Sequence, residues 1–366
     1  MKFEHIGFIG LGLIGGSIAK AIKQKYPQTT IIGHASHAST LEQAYNAGVI
    51  SNNSKLDLSE FASCDVLFLC SPVGINIDYL KELTPLLTKD CILTDVGSVK
   101  GDIHAAVAEL GLEKQFIGGH PMTGSEKTGF ENSAPSLLEN AYYILTSDAE
   151  ALTEDVSEFA SYIASLGAIP IKLTPKEHDF ATAAISHLPH VISATLVNLV
   201  KANDSDKEIL RTIAAGGFKD ITRISSSSPV MWQHICQANR EEILHLIDLY
   251  MESFSDFRSA IEAEDTTKIH SLFQNAKNYR DSMRTQSTGI LPQSFEFYCD
   301  LMDEAGGIAT IATILAAHAL NIKNIGIIHD REFEEGVLHI EMYDNDSMEK
   351  AITLLQQHRY TVHKKK

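Results

Sequence analysis

Short, continuous apolar runs punctuate the first half of the chain, at residues 6–9, 30–33, 66–70, 92–96, 115–117, 142–145 and 169–171. Helix-like segments separate them. The runs are apolar at consecutive rather than alternate positions, as in strands buried on both faces, and this predicts a parallel sheet packed between helices. Pro170 predicts an edge position for the last run. Near Thr174-Pro175 the pattern changes and strands vanish. Residues 180–200 are apolar on nearly every face and read as a helix buried all round, in a core or a subunit interface, with Pro189 kinking or breaking it. Residues 240–264 read as an amphipathic helix with Ile243, Leu246, Ile247, Tyr250, Phe254, Phe257 and Ile261 along its stripe. Residues 284–294 read as a linker. The remainder alternates strand (296–301), helix (308–319), two strands (325–328, 337–342), helix (347–357) and strand (360–362), a βαββαβ order of the ferredoxin-like kind. Three domains are expected: a Rossmann-type parallel-sheet domain over 1–175, an all-α domain over 176–284 that could also dimerise, and a small ferredoxin-like α/β domain over 295–366.

Composition narrows the function. A net charge of -17 argues against nucleic acid and anionic membrane as partners, and an acidic substrate would need local positive groups. No apolar run is expected to reach the length of a membrane span, and Met1 to His5 lead straight into a strand rather than a signal peptide. The five cysteines are scattered, with Cys64, Cys70 and Cys91 in or beside apolar runs, which points to buried free thiols in a reducing, cytoplasmic setting.

The chemistry-bearing residues follow the strand ends. Gly10-Leu11-Gly12-Leu13-Ile14-Gly15 is a G-x-G-x-x-G run between a strand and a helix, the context that binds a dinucleotide pyrophosphate. The next strand ends at His34, where an NAD site usually carries an acid, and no arginine marks a 2′-phosphate site, so NAD is expected and NADP stays open. Ser71-Pro72, Asp95 and Gly97-Ser98-Val99-Lys100 follow later strands. The polar, glycine-rich stretch 118–130 holds His120, Ser125 and Glu126, and histidine is the side chain best suited to move a proton near neutral pH. Within the apolar helix sit Ser186-His187-Leu188-Pro189-His190. The two histidines suit a buried polar site better than a metal, because no third ligand pattern accompanies them. After Gly216-Gly217, Arg223 is the candidate carboxylate clamp, with a surface ion pair to Asp220 as its alternative. Trp232, the only tryptophan, reads as core or interface packing.

Taken together these segments resemble prephenate dehydrogenases of the kind with a C-terminal ACT domain. The resemblance rests on residues 97–100, 119–126, 186–190 and 217–223 and on Met231-Trp232, in that order along the chain. It implies NAD-linked oxidative decarboxylation of prephenate to 4-hydroxyphenylpyruvate in tyrosine biosynthesis, with arogenate as the neighbouring substrate. It implies that His120 takes the proton of the ring hydroxyl and that Ser98 orients His120. It also implies that Arg223 holds the ring carboxylate, that His190, His187, Ser186, Ser125, Glu126 and Gly216 line the pocket, and that Trp232 reaches in from the partner of a homodimer. Tyrosine is the implied effector, with Asp303, Gly306 and Asn321 as contacts. A β-hydroxyacid dehydrogenase would need a catalytic lysine in the helical part and would leave the His120 loop unexplained, and a non-catalytic dinucleotide- and amino-acid-binding sensor would have no reason to hold Ser98, His120 and Arg223 together.

Overall fold

The computed structural model describes residues 3–88, 90–124, 127–147, 153–285, 295–300, 306–328 and 337–364. The chain divides into two compact units, Met1–Ile290 and Leu291–Lys366.

In the first unit, β1 (His5–Ile9), β2 (Thr30–His34), β3 (Val66–Leu69), β4 (Ile92–Asp95), β5 (Phe116–Pro121), β6 (Tyr142–Thr146) and β7 (Ile169–Leu173) form one sheet in the order β2-β1-β3-β4-β5-β6-β7. The strand order reverses at β1, so the crevice between the turns after β1 and β3 is the topological switch point of the sheet. Pro170 lies on the edge strand β7. One step departs from the parallel pattern: β6 runs antiparallel to β5, with Gly118 opposite Thr146 and His120 opposite Ile144. Among the described residues of the connection the only regular elements are the short 3-10 turns Phe130–Asn132 and Pro135–Leu137, and a parallel return would need a longer crossover, usually a helix. The strand also runs further than its apolar run suggests. Gly118-Gly119-His120-Pro121 belongs to β5, and the expected loop begins only after it.

Thr174 ends the sheet with a capping box. Its hydroxyl accepts from the Glu177 N–H (3.2 Å), and the Glu177 carboxylate accepts from the Thr174 N–H (2.8 Å). Helix Pro175–Thr182, a π turn Ala183–His187 and helix Leu188–Ala202 then run on as one rod. Pro189 therefore does not break the helix. The wide turn just before it accommodates the missing proline donor. Two expectations about this segment are corrected. The rod, Pro175–Ala202, is long and apolar enough to cross a membrane by length and composition. It is also not buried all round: Phe180, Ile185 and Leu199 are exposed. His178, Asp179, Thr182, His187 and Ser193 are buried polar residues along it, a content that a lipid-facing span would carry at high cost.

Helix Arg240–Glu262 buries only the start of its stripe, where Ile243 and Leu246 meet Ala183 in a small core. Phe254 and Ile261 further along are exposed, as are Phe273 and Tyr279 on helix Thr266–Thr285.

The second unit has β8 (Phe295–Asp300), helix Gly307–Ala317, β9 (Ile322–Ile328), β10 (Val337–Met342), helix Asn345–Gln357 and β11 (Val362–Lys364). Its antiparallel sheet has the order β11-β8-β10-β9, with Phe297, Cys299, Leu338 and Ile340 in a core against both helices. Gly306 takes a positive φ of 97° to open the first helix, and Asn321 is exposed just before β9. Asp303 and most of the expected linker lie outside the described residues.

Candidate active site

The turn after β1 is shaped by its glycines. Gly10 has φ +100°, and its N–H donates to the His34 carbonyl (2.8 Å), fastening the turn to β2. A Cβ on Gly15 would overlap the Gly10 carbonyl oxygen and lie 2.9 Å from Cys70 Cβ, so only glycine lets helix Leu13–Lys25 pack this closely on the strands. A Cβ built on Gly12, by contrast, would meet nothing within 4 Å. No side chain caps this helix, so its first-turn N–H groups and positive dipole end open onto that space. Across the switch point, Asn76 accepts from the Ser71 N–H (3.0 Å) and donates to the Leu69 carbonyl (3.2 Å), and exposed Pro72 leads into helix Val73–Leu83. The arrangement fits a dinucleotide pyrophosphate. Leu11 is buried in the core, so its backbone alone could meet a ligand, while Leu13 and Ile14 are half-buried.

His34 is buried at the end of β2, with Nε2 3.1 Å from the Tyr79 hydroxyl and its ring edge-on to Tyr79 and Phe61. Burial, with Lys55 nearby, lowers its pKa and keeps it neutral. It lines a cavity of about 590 Å³ with Lys55, Leu56, Ile75 and Tyr79.

Beneath β5 lies a buried polar network. The Lys100 ammonium pairs with Asp95 Oδ2 and donates to the Gly119 carbonyl (2.8 Å). Asp95 also accepts from the N–H groups of Gly97 (2.8 Å) and Gly119 (3.1 Å). These bonds staple the end of β4 to β5 immediately before His120. Asp95, expected beside the cofactor, is fully buried, and both of its carboxylate oxygens are engaged inside the protein. Burial lowers the Lys100 pKa and the Asp95 charge opposes that shift.

The helical rod adds a second layer. The Asp179 carboxylate accepts from the N–H groups of Lys100 (2.8 Å) and Gly101 (2.7 Å), at the start of helix Gly101–Leu110. Asp179 Oδ1 also lies 2.7 Å from His178 Nδ1, and His178 Nε2 lies 2.8 Å from His120 Nδ1. His120 is half-buried, and its pKa is held well below the usual histidine range by burial first, then by His178, Lys100 and His187. About two turns further along the rod, His187 Nδ1 accepts from Asn239 (3.1 Å), which also donates to the Asp179 carbonyl (2.8 Å). Burial pushes His187 down to about 4. His190 Nδ1 donates to the Ser186 carbonyl (2.8 Å), and its ring stacks on Trp232 at 3.8 Å.

The structure thus brings His120, His187, His190, half-buried Ser186 and Trp232 to one region. The His190 and Trp232 end opens on a cavity of about 560 Å³ that Ile224 and Ser225 also line. Trp232 stacks on His190 of its own chain, where the resemblance had implied a reach from the partner. Arg223 starts the 3-10 turn Arg223–Ser226, next in sequence to the lining residue Ile224, and is exposed, as is Gly216 at the start of helix Gly216–Thr222. Ser98 is half-buried, but among the described residues no hydrogen bond joins it to His120, whose Nδ1 faces His178. Ser125 and Glu126 lie outside the described residues. Sequence reasoning named Lys100 only as part of its motif, without a role, and passed over His178, Asp179 and Asn239. The one available signal was the polar pair His178-Asp179 at the head of an apolar helix.

A dinucleotide crevice, a half-buried histidine held below its usual pKa and a helical second layer together define a nucleotide-dependent dehydrogenase. Residues 18–172 match the family profile described as prephenate dehydrogenase, nucleotide-binding domain, and residues 174–275 match prephenate dehydrogenase, dimerization domain. The prephenate dehydrogenase of Bacillus subtilis is 36% identical over 350 residues, covering 95% of this chain and 94% of the relative. The crystal structure of Aquifex aeolicus prephenate dehydrogenase with hydroxyphenyl propionate and NAD+ superposes with a TM-score of 0.71 at 28% identity, over 77% of this chain and 99% of that one. Synechocystis arogenate dehydrogenase follows with a TM-score of 0.69 at 31% identity, over 76% and 99%. The chain belongs to the prephenate dehydrogenase family.

Proposed function

We propose that the chain oxidises prephenate with NAD+ to 4-hydroxyphenylpyruvate and carbon dioxide, a step of tyrosine biosynthesis. The observation that carries this reading is a neutral, low-pKa His120 beside a dinucleotide crevice in a chain that matches the Bacillus subtilis enzyme almost end to end. The glycine turn and the helix N-terminus at Leu13 would hold the pyrophosphate, with Gly10, Gly12, Gly15, Ser71 and Pro72 around it. NAD+ when bound supplies the hydride acceptor. As hydride leaves the ring carbon, His120 takes the hydroxyl proton, assistance typically worth about 10²–10⁴-fold. The bond to the ring carboxylate then breaks, its electron pair makes the ring aromatic, and the phenolate oxygen recovers a proton. Arg223 is the candidate clamp for the ring carboxylate. His190, His187 and Ser186 are the candidate pocket wall, and Ser98 is a candidate contact of the hydroxyl itself.

The residue boundaries 1–175, 176–284 and 295–366 are our proposed domain limits. The apolar residues left exposed on the helical rod and on helices Arg240–Glu262 and Thr266–Thr285 support a homodimer, in keeping with the dimerization-domain match. The βαββαβ unit supports an ACT domain, and tyrosine is its proposed effector, with Gly306 and Asn321 as candidate contacts. Arogenate is the second reading, favoured by the Synechocystis neighbour. Absorbance at 340 nm, crossing prephenate and arogenate with NAD+ and NADP+, tests both. Rapid reduction is expected with prephenate and NAD+. Reduction with arogenate alone would move the substrate, and none in any combination, from folded protein that binds dinucleotide, would refute the enzyme reading. Tyrosine titrated into the active combination is expected to slow it.

A further inference from the structure

From the chain Asp179–His178–His120, we infer that His178 is a positioning residue that fixes the tautomer of His120, leaving His120 Nε2 as the free proton acceptor. The inference rests on the proposed role of His120 as base and adds a group that acts through it. The directions of the bonds follow from the chemistry of the partners. Asp179 is buried, and its carboxylate already accepts the N–H groups of Lys100 and Gly101. An ionised carboxylate only accepts. His178 Nδ1 therefore carries the proton in the 2.7 Å bond to Asp179 Oδ1. A neutral His178 then has a lone pair on Nε2, and the 2.8 Å bond to His120 Nδ1 can form only if His120 donates. With its proton on Nδ1, neutral His120 presents the Nε2 lone pair, the atom that can receive the hydroxyl proton. The opposite tautomer would set two lone pairs against each other across 2.8 Å.

Position and surroundings agree with this reading. His178 is fully buried, and its ring lies 5.0 Å from that of His120. The nearby groups His178, Lys100 and His187 all disfavour a second proton on His120. Asp179 also caps the helix that starts at Gly101, and Asn239 holds its backbone carbonyl, so the relay is anchored at its far end by the sheet domain and the helical domain together. As hydride leaves and His120 gains its proton, the two bonds share the developing positive charge with the carboxylate, and no second proton transfer is required.

The test has two parts. In the folded wild-type protein labelled with 15N-histidine, the His120 resonances, assigned by their loss in His120→Asn, are expected to show a protonated Nδ1 and an unprotonated Nε2. An Nε2-protonated His120 would overturn the proposal without any variant of His178 having to fold. Kinetically, His178→Leu is expected to lower kcat about 10²-fold. It should leave KM for the substrate and the affinity for NAD+ within about threefold, and His178→Gln, which keeps an acceptor, should recover at least tenfold of the loss. In the His120→Asn background, His178→Leu should change kcat by less than about twofold, because the group it positions is already gone. Additive losses, or a His178→Leu enzyme with wild-type kcat, would also overturn it. If His120→Asn itself turned over normally, the base reading would fail, and the NMR measurement would still decide the geometry on its own.

Discussion

Burial pushes the His187 imidazole down to about 4, and the loss of stability this produces in acid can be worked out from the structure. The ring is 1% exposed and accepts the Asn239 amide at its Nδ1, an arrangement only the neutral form can make. In the unfolded chain the same side chain titrates near 6.5. A folded pKa below the unfolded one means that the unfolded state binds the proton first as pH falls. The contribution is therefore fully present above about 6.5 and is lost on descending toward about 4. With about 1.4 kcal/mol per unit, the whole shift is on the order of 3 kcal/mol, of which about 2 kcal/mol disappears between pH 7 and pH 4.5. The assay is urea unfolding of wild type and His187→Gln at pH 7, 5.5 and 4.5, at one protein concentration because dimerisation would make stability concentration-dependent. Glutamine can still accept from Asn239 and cannot titrate. The variant is expected to be less stable at pH 7 and to lose about 2 kcal/mol less than wild type on acidification. Parallel loss in both proteins, within about 0.5 kcal/mol, would refute a buried neutral His187.

Four further outcomes are expected. Lys100→Met strips the partner from fully buried Asp95, so calorimetry should show a loss of about 3–5 kcal/mol with a clear fall in Tm, and an unchanged Tm would mean the pair contributes nothing. Gly15→Ala forces its Cβ onto the Gly10 backbone and should weaken NAD+ binding at least about tenfold by calorimetric titration while lowering Tm. Gly12→Ala has open space, and so should keep Tm while still weakening NAD+, because the methyl group stands where the pyrophosphate approaches. Phe254→Asp, on the exposed apolar stripe, should shift the protein toward monomer in light scattering at micromolar concentration with its helical content intact. A dimer of unchanged stability would place the interface elsewhere.

The apolar runs settle the strands of the sheet, because a strand covered on both faces must be apolar at every position. The glycine triplet likewise settles the turn after β1, because no residue with a Cβ fits at Gly15. The βαββαβ order of the last unit is legible for the same reason, in the spacing of its strands and helices. His120 stands out in the sequence as polar chemistry directly after an apolar run. What surrounds His120 is not legible there. His178 lies 58 positions away along the chain, and Asn239 lies 60 positions from Asp179. No periodicity links residues that meet only when a helix from the second domain packs across the end of the sheet. The antiparallel turn of β6 was hidden as well, since an apolar strand reads the same in either direction and only pairing decides which way it runs. The apolar rod shows the same limit from the other side: composition made it apolar, and only packing revealed that one chain alone leaves much of it uncovered.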